Sequence, residues 1–199
     1  MSIDNLLLKY QNVPGERFFG ELFAKNEYEV VLNRPLKVVV DVGALAGKFA
    51  AYIYDKAGVI HAIEAHEPSF NELVQNIGEF GLAKIRPHKF ALAGHNGTDK
   101  FTIDRTRGGN AIHPEGEGEV QTKTLAQFMK DEGITHIDVL KIDIEGGEDT
   151  VFAAKDFPEV AKQIDFIIGE HLGGAEPYLI GQGFIKKHDK EGNCTFYRE

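Results

Sequence analysis

The sequence predicts an α/β protein built around a mostly parallel sheet, and two observations carry that expectation. From Leu36 onward, short β-branched runs alternate with segments of helical period, the pattern that yields a parallel sheet covered on both faces. The first of these runs, Lys37 to Val42, is nearly all valine, as suits a central strand buried on both sides.

The remaining elements follow in order. A Gly-containing turn leads into a helix from Lys48 to Ala57, then a second strand from Val59 to Ile63. The next helix carries Phe70, Leu73, Val74 and Ile77 at helical spacing, with Ser69 and Glu72 as a capping box and Gly81 as its stop. A third strand ends near Ala91 and Leu92, and the turn Gly94 to Gly97 leads into an extended run, Lys100 to Ile103. Arg105 to Gly118 has no periodicity and reads as an irregular loop, either a functional lid or a plain insertion. Arg105, Arg107, Asn110 and His113 within it are placed to close over a bound molecule.

Thr124 to Glu132 reads as a helix with a second capping box, Thr124 and Gln127, ended by Gly133. Ile137 to Ile144 is the fourth strand, a helix runs on to Phe157, and Asp165 to Ile168 is the fifth strand. A helix from Glu176 to Gln182 stops at Gly183, and Phe184 to His188 with Thr195 to Arg198 forms an antiparallel hairpin. Residues 1–35 read as a helical extension, since Phe18, Phe19, Leu22 and Phe23 keep helical spacing. Residues 36–199 are expected to form one domain.

Composition limits the function classes. The chain has 199 residues with 22 Lys plus Arg against 31 Asp plus Glu, a formal net charge of −9. Nucleic-acid binders usually carry a basic stripe instead. The single cysteine, Cys194, excludes an intramolecular disulfide and a cysteine-rich zinc site. The start of the chain lacks a basic segment followed by a long apolar one, and no window reaches a membrane span, so a cytoplasmic location is expected.

In open α/β sheets ligands bind beyond the carboxyl ends of the strands. Those ends are acidic here: Asp41, Glu64, Asp143 with Glu145, and Glu170. Carboxylates at four of five strand ends are expected to line one cavity. The first turn holds Gly43 and Gly47 but lacks the G-x-G-x-x-G needed to seat a pyrophosphate. Asp41 beside it would repel a phosphate and favour a cationic ammonium group. Glu64, 21 positions after Gly43, is placed to accept hydrogen bonds from both hydroxyls of a ribose. Adenosine joined to a positively charged amino acid describes S-adenosylmethionine.

These residues resemble the FkbM-type S-adenosylmethionine-dependent methyltransferases. The family's first motif, D-V-G-A-N-x-G, corresponds to DVGALAG from Asp41 to Gly47, with Leu45 in place of the usual Asn. Its second motif, an acid ending a strand followed by an aromatic and a Leu, falls on Glu64, Phe70 and Leu73, with Ala65 replacing the usual Pro. The most specific motif, K-I-D-x-E-G-x-E, is intact from Lys141 to Glu148, and a later E-H corresponds to Glu170 and His171.

The resemblance implies the Rossmann-like methyltransferase fold, a mostly parallel seven-stranded sheet with a C-terminal antiparallel hairpin. It also implies O-methylation of a small-molecule hydroxyl, on a sugar or secondary metabolite. The cofactor-binding candidates are Asp41, Gly43, Ala44, Leu45, Gly47, Glu64, Ala65, Ala91 and Asp143. The catalytic candidates are His171 as general base, by its near-neutral pKa, with Asp143, Glu145 and Glu170. Alternatives are a non-catalytic nucleoside-binding module and an NAD-dependent oxidoreductase. Lys141 reads as the partner of buried carboxylates. The other histidines show no ligand spacing, so no metal site is expected, with a divalent cation on Glu145 and Glu148 as the alternative. The charge balance and the lack of a long apolar window likewise point to no nucleic-acid or membrane partner.

Overall fold

The computed structural model describes residues 34–104, 109–112, 116, 118–144, 146–170, 172–190 and 193–198. The elements within them run β1 (Leu36–Val42), α1 (Lys48–Tyr52), β2 (Ala57–Ile63), α2 (Glu67–Phe80), β3 (Ile85–His88), β4 (Ala91–Leu92), β5 (Gly97–Asp104), β6 (Gly109–Ile112) and β7 (Gly118–Lys123). They continue with α3 (Leu125–Glu132), β8 (Ile137–Ile142), α4 (Glu148–Phe152), α5 (Phe157–Ala161), β9 (Ile164–Glu170), α6 (Glu176–Gly181), β10 (Ile185–Lys190) and β11 (Asn193–Tyr197). The helical extension expected before Leu36 falls almost wholly outside the described residues.

Seven strands form the main sheet in the order β10-β11-β9-β8-β1-β2-β3. β1 lies in its interior, between β8 and β2 and parallel to both, and β11 runs antiparallel to both β9 and β10. The expected Rossmann-like sheet with its C-terminal antiparallel hairpin is the observed one. Both faces are covered because successive side chains alternate sides. Val40 and Val42 pack with Phe128, Leu140 and Phe157 on one face, while Val39 packs with Ala50, Ile60 and Leu73 on the other.

Several boundaries differ from the sequence reading. The helix expected to reach Ala57 ends at Tyr52, where tight turns bring the chain into β2. α2 starts at Glu67 rather than after Ser69, with His66 as N-cap and a proline in its first turn, a residue already shaped for that position. The segment after Gly147 is split into α4 and α5, with Asp156 at the start of the second and its carboxylate accepting from the Thr124 hydroxyl at 2.6 Å. Thr124 does cap α3, accepting from the Gln127 N–H at 3.2 Å, but the Gln127 side chain turns to Asp131 instead of back to the cap.

The larger difference is a second sheet, of order β4-β7-β5-β6. The third strand of the sequence reading is really two: β3 stays in the main sheet, and β4 crosses into the small one. β5 lies between β6 and β7 and runs antiparallel to both. Part of the stretch read as an irregular loop is thus the edge strand β6, four residues long and opened by Gly109. Its length and glycine hide any alternation of period two. No helix among the described residues is long and apolar enough to cross a membrane.

Candidate active site

The carboxyl ends of β1, β2 and β8 open into a cavity of about 480 Å³, within the usual size of a small-molecule site. Its walls come from both sheets. The main sheet and its turns supply Gly43, Leu45, Glu64, Ala65 and Asp143, and the small sheet supplies Ala91, Asp99, Phe101 and Ile112. Glu64, Asp99 and Asp143 put three carboxylates on the wall, and no lysine or arginine lines it among the described residues.

The turn after β1 is held from below. Lys141, opposite Asp41 in register, donates to the Gly43 carbonyl at 3.2 Å. Its ammonium lies 3.4 Å from Asp41 Oδ1 and 3.8 Å from Asp143 Oδ2. Burial pushes the Asp41 carboxyl up, against the pull of the Lys141 ammonium. Desolvation works to lower the Lys141 pKa, but Asp41 and Asp143 outweigh it and raise it, so the lysine stays charged. Gly43 is required by the close approach of two backbones: a Cβ there would lie 1.9 Å from the Asp143 carbonyl oxygen.

Glu64 ties the second strand to the same turn. Its carboxylate accepts the Leu45 N–H at 2.8 Å and the His66 N–H at 2.7 Å. Burial pushes this carboxyl above its ordinary range while those two bonds hold it down. A carboxylate offers about four acceptor positions, so Glu64 keeps capacity for hydroxyls presented from the cavity. Glu148 plays a similar part after β8, accepting from the Ile144 and Gly146 N–H groups at 2.8 and 2.9 Å.

Of the sequence-derived candidates, Gly43, Leu45, Glu64, Ala65, Ala91 and Asp143 meet in this cavity. Asp41, Ala44 and Gly47 are not on its wall. Asp41 is fully buried because strand alternation puts it beside Val39, on the face packed against α1, where Lys141 meets it. Ala44 is a core residue, and Gly47 makes room for the Leu73 side chain. The expectation that all the strand-end acids share one hollow is therefore corrected for Asp41. Glu170 ends β9, but its side chain, like Glu145, His171, Arg105, Arg107 and His113, lies outside what is described, as does the Asn110 side chain.

Apart from Ala91, sequence reasoning missed the small-sheet wall. His95 and Asp99 sit there as a pair, with Nε2 3.3 Å from Oδ1. Their spacing of four residues was visible, but the small sheet that brings them to the cavity was not. The expectation of unclustered histidines also fails: His61 and His88 are in hydrogen-bond contact at 3.0 Å, away from this wall.

Fold and site together define the methyltransferase class of Rossmann-like domains, with acids and glycines at the strand ends facing a nucleoside-sized cavity. Residues 41–179 match the model of the Methyltransferase FkbM domain, and the chain belongs to that family. The matched region is a methyltransferase domain, of a family whose cofactor is S-adenosylmethionine.

Among solved structures it is similar to the methyltransferase FkbM from Methylobacillus flagellatus KT, at 14% identity and TM-score 0.58, covering 89% of this chain and 52% of that one. The chain thus spans about half the length of that protein. It is also similar to TrmK of M. capricolum, solved with S-adenosyl-homocysteine, at 13% identity and TM-score 0.50, covering 86% and 66%. An rRNA methylase from Streptococcus thermophilus matches at 8% identity and TM-score 0.50, covering 89% and 95%. Among curated protein sequences none matches the chain.

Proposed function

We propose that this chain transfers the methyl group of S-adenosylmethionine to a hydroxyl of a small molecule. The observation that carries the reading is a cavity with three carboxylates and no lysine or arginine on its described wall. A cationic ligand is favoured there and a diphosphate is repelled. This supports the sulfonium nucleoside over a nicotinamide dinucleotide. S-adenosylmethionine supplies an electrophilic methyl group.

In this reading Glu64 accepts from the ribose hydroxyls while its two backbone bonds fix its orientation. Asp143 faces the cationic end, and Leu45 and Ala65 flank the nucleoside. Phe101 and Ile112 form an apolar wall for the acceptor, excluding water from the reacting hydroxyl. His95 is a candidate for the proton of that hydroxyl: Asp99 fixes one ring nitrogen and leaves the other as an acceptor. His171 remains the candidate from the sequence, with Glu145 and Glu170 beside the same strand ends.

A net charge of −9 supports a small acceptor over RNA. Calorimetric titration with S-adenosylmethionine tests the first step, with one site per chain expected and at least tenfold weaker binding in Glu64→Gln. Release of S-adenosylhomocysteine across a panel of hydroxylated small molecules, with RNA as the competing arm, tests the second. No heat with the wild-type protein removes the proposal; turnover with RNA alone replaces the acceptor class.

A further inference from the structure

Behind the cavity wall, three side chains with metal-ligand chemistry converge from three elements. His61 comes from the interior of β2, His88 from the end of β3, and Glu132 from the last residue of α3. One nitrogen from each ring and one carboxylate oxygen lie within 4.8 Å of one another. His61 Nδ1 is 3.0 Å from His88 Nε2, and the Glu132 oxygens are 3.7 Å from His88 Nδ1 and 4.0 Å from His61 Nδ1.

The two rings are held in place. They stack at 5.1 Å with 16° between their planes, and Phe128 meets both edge-on at 5.6 and 5.1 Å. Phe128 and Glu132 are four residues apart on α3, so one helical face presents the ring that fixes the imidazoles and the carboxylate that approaches them. The site grades from closed to open: His61 is 2% exposed, His88 15% and Glu132 30%. A rigid imidazole pair is thereby combined with a third donor on the solvent side that can adjust.

We propose that His61, His88 and Glu132 bind a divalent zinc-type cation, with solvent completing its coordination. Two imidazoles and a carboxylate form a donor set suited to zinc. Tetrahedral bonds of the usual length put neighbouring donors about 3.3 Å apart, close to the 3.0 Å that separates the two ring nitrogens. The Glu132 carboxylate, with an oxygen 4.0 Å from His61 Nδ1, supplies the third donor. The nearby Lys123 ammonium, which would oppose a cation, is engaged by Asp131 at 2.6 Å. The ion would fasten β2, β3 and α3 together, with His61 and His88 each two residues before a residue of the cavity wall, Ile63 and Phe90.

The test uses the full chain after dialysis against a chelator. Titration with Zn²⁺ in a calorimeter is expected to give one equivalent per chain. Co²⁺ is expected to give the visible absorption of a nitrogen- and oxygen-ligated site. At a hundredfold excess over the dissociation constant, the melting temperature rises by about 5–10 °C. Glu132→Ala and His88→Gln each weaken Zn²⁺ binding by about 100-fold, with the metal-free melting curve confirming that each variant folds. Glu132 is partly exposed at a helix end, so its variant keeps the test available where a ring substitution unfolds the protein. Absence of binding in the wild-type protein overturns the site, and so does unchanged affinity in Glu132→Ala and His88→Gln.

Discussion

Asp41 and Lys141 face each other in register across the adjacent parallel strands β1 and β8, both buried, with 3.4 Å between ammonium and carboxylate. Neither Asp41 oxygen has a geometrically sound hydrogen bond, so the lysine's charge is its main compensation. Removing one partner of such a pair leaves an uncompensated buried charge. Lys141→Met is expected to lower stability in urea unfolding by about 3–5 kcal/mol. The double variant Asp41→Asn, Lys141→Met costs less than the two single variants summed. Additive costs would mean that the charges do not depend on one another.

Leu45 adopts φ 48°, the left-handed region, and is the one non-glycine residue to do so among the described residues. Its side chain is 50% exposed at the cavity mouth, so little packing offsets the strain. Asn tolerates this conformation far better than a Leu side chain does, which gives a physical reason for the Asn usual at this place in the family motif. Leu45→Asn is expected to stabilise the protein by about 1 kcal/mol. Thermal denaturation at neutral pH checks the sign, and a lower melting temperature would refute the strain argument.

The main sheet was legible because its signal is local. The valine run of β1, the glycine stops at Gly81, Gly133 and Gly183, and the final hairpin each announce themselves within a few residues, and all three glycines take positive φ. Two of the three acids on the cavity wall were legible for the same reason, since Glu64 and Asp143 follow directly from where their strands end, whereas Asp99 was not. Asp41 was misplaced because strand-end position says which residues are near a cavity and alternation decides which of them face it. The small sheet and the His61, His88 and Glu132 cluster depend on contacts between residues far apart in the chain. No spacing rule applied along one segment could have found them.

Lys48 is a buried cation at the first position of α1, the end of a helix that favours negative charge. Desolvation pushes its pKa down to about 8, with Glu72 opposing. A depressed amine means that the folded state favours the neutral form. The stability it contributes is full above the unfolded value of 10.5 and is lost as pH falls to about 8. Lys48→Met keeps the side-chain volume and removes that loss. The variant is expected to exceed the wild type by about 1–2 kcal/mol near neutral pH, and the difference should close as pH rises from 8 to 10.5. Urea unfolding of both proteins over that interval measures it, and a difference that does not change with pH would show that the lysine is not the titrating group.

Gly43 and Gly81 separate two reasons for keeping a glycine. Both have positive φ, 73° and 68°, so a side chain at either is strained by the backbone alone. At Gly81 an added Cβ meets nothing within 4 Å, whereas at Gly43 it meets the Asp143 carbonyl oxygen at 1.9 Å. That oxygen cannot easily retreat, because the Asp143 N–H is bonded to the Val42 carbonyl at 3.1 Å and the two strands are fastened together there. Gly81→Ala is therefore expected to cost about 1 kcal/mol. Gly43→Ala adds overpacking of about 1–3 kcal/mol and, by prising β1 from β8, weakens S-adenosylmethionine binding by at least tenfold. Paired urea unfolding and calorimetric titration of the two variants measure both effects. Equal stability losses together with unchanged ligand affinity would show that the strand ends yield to the extra methyl group and do not set the shape of the cavity floor.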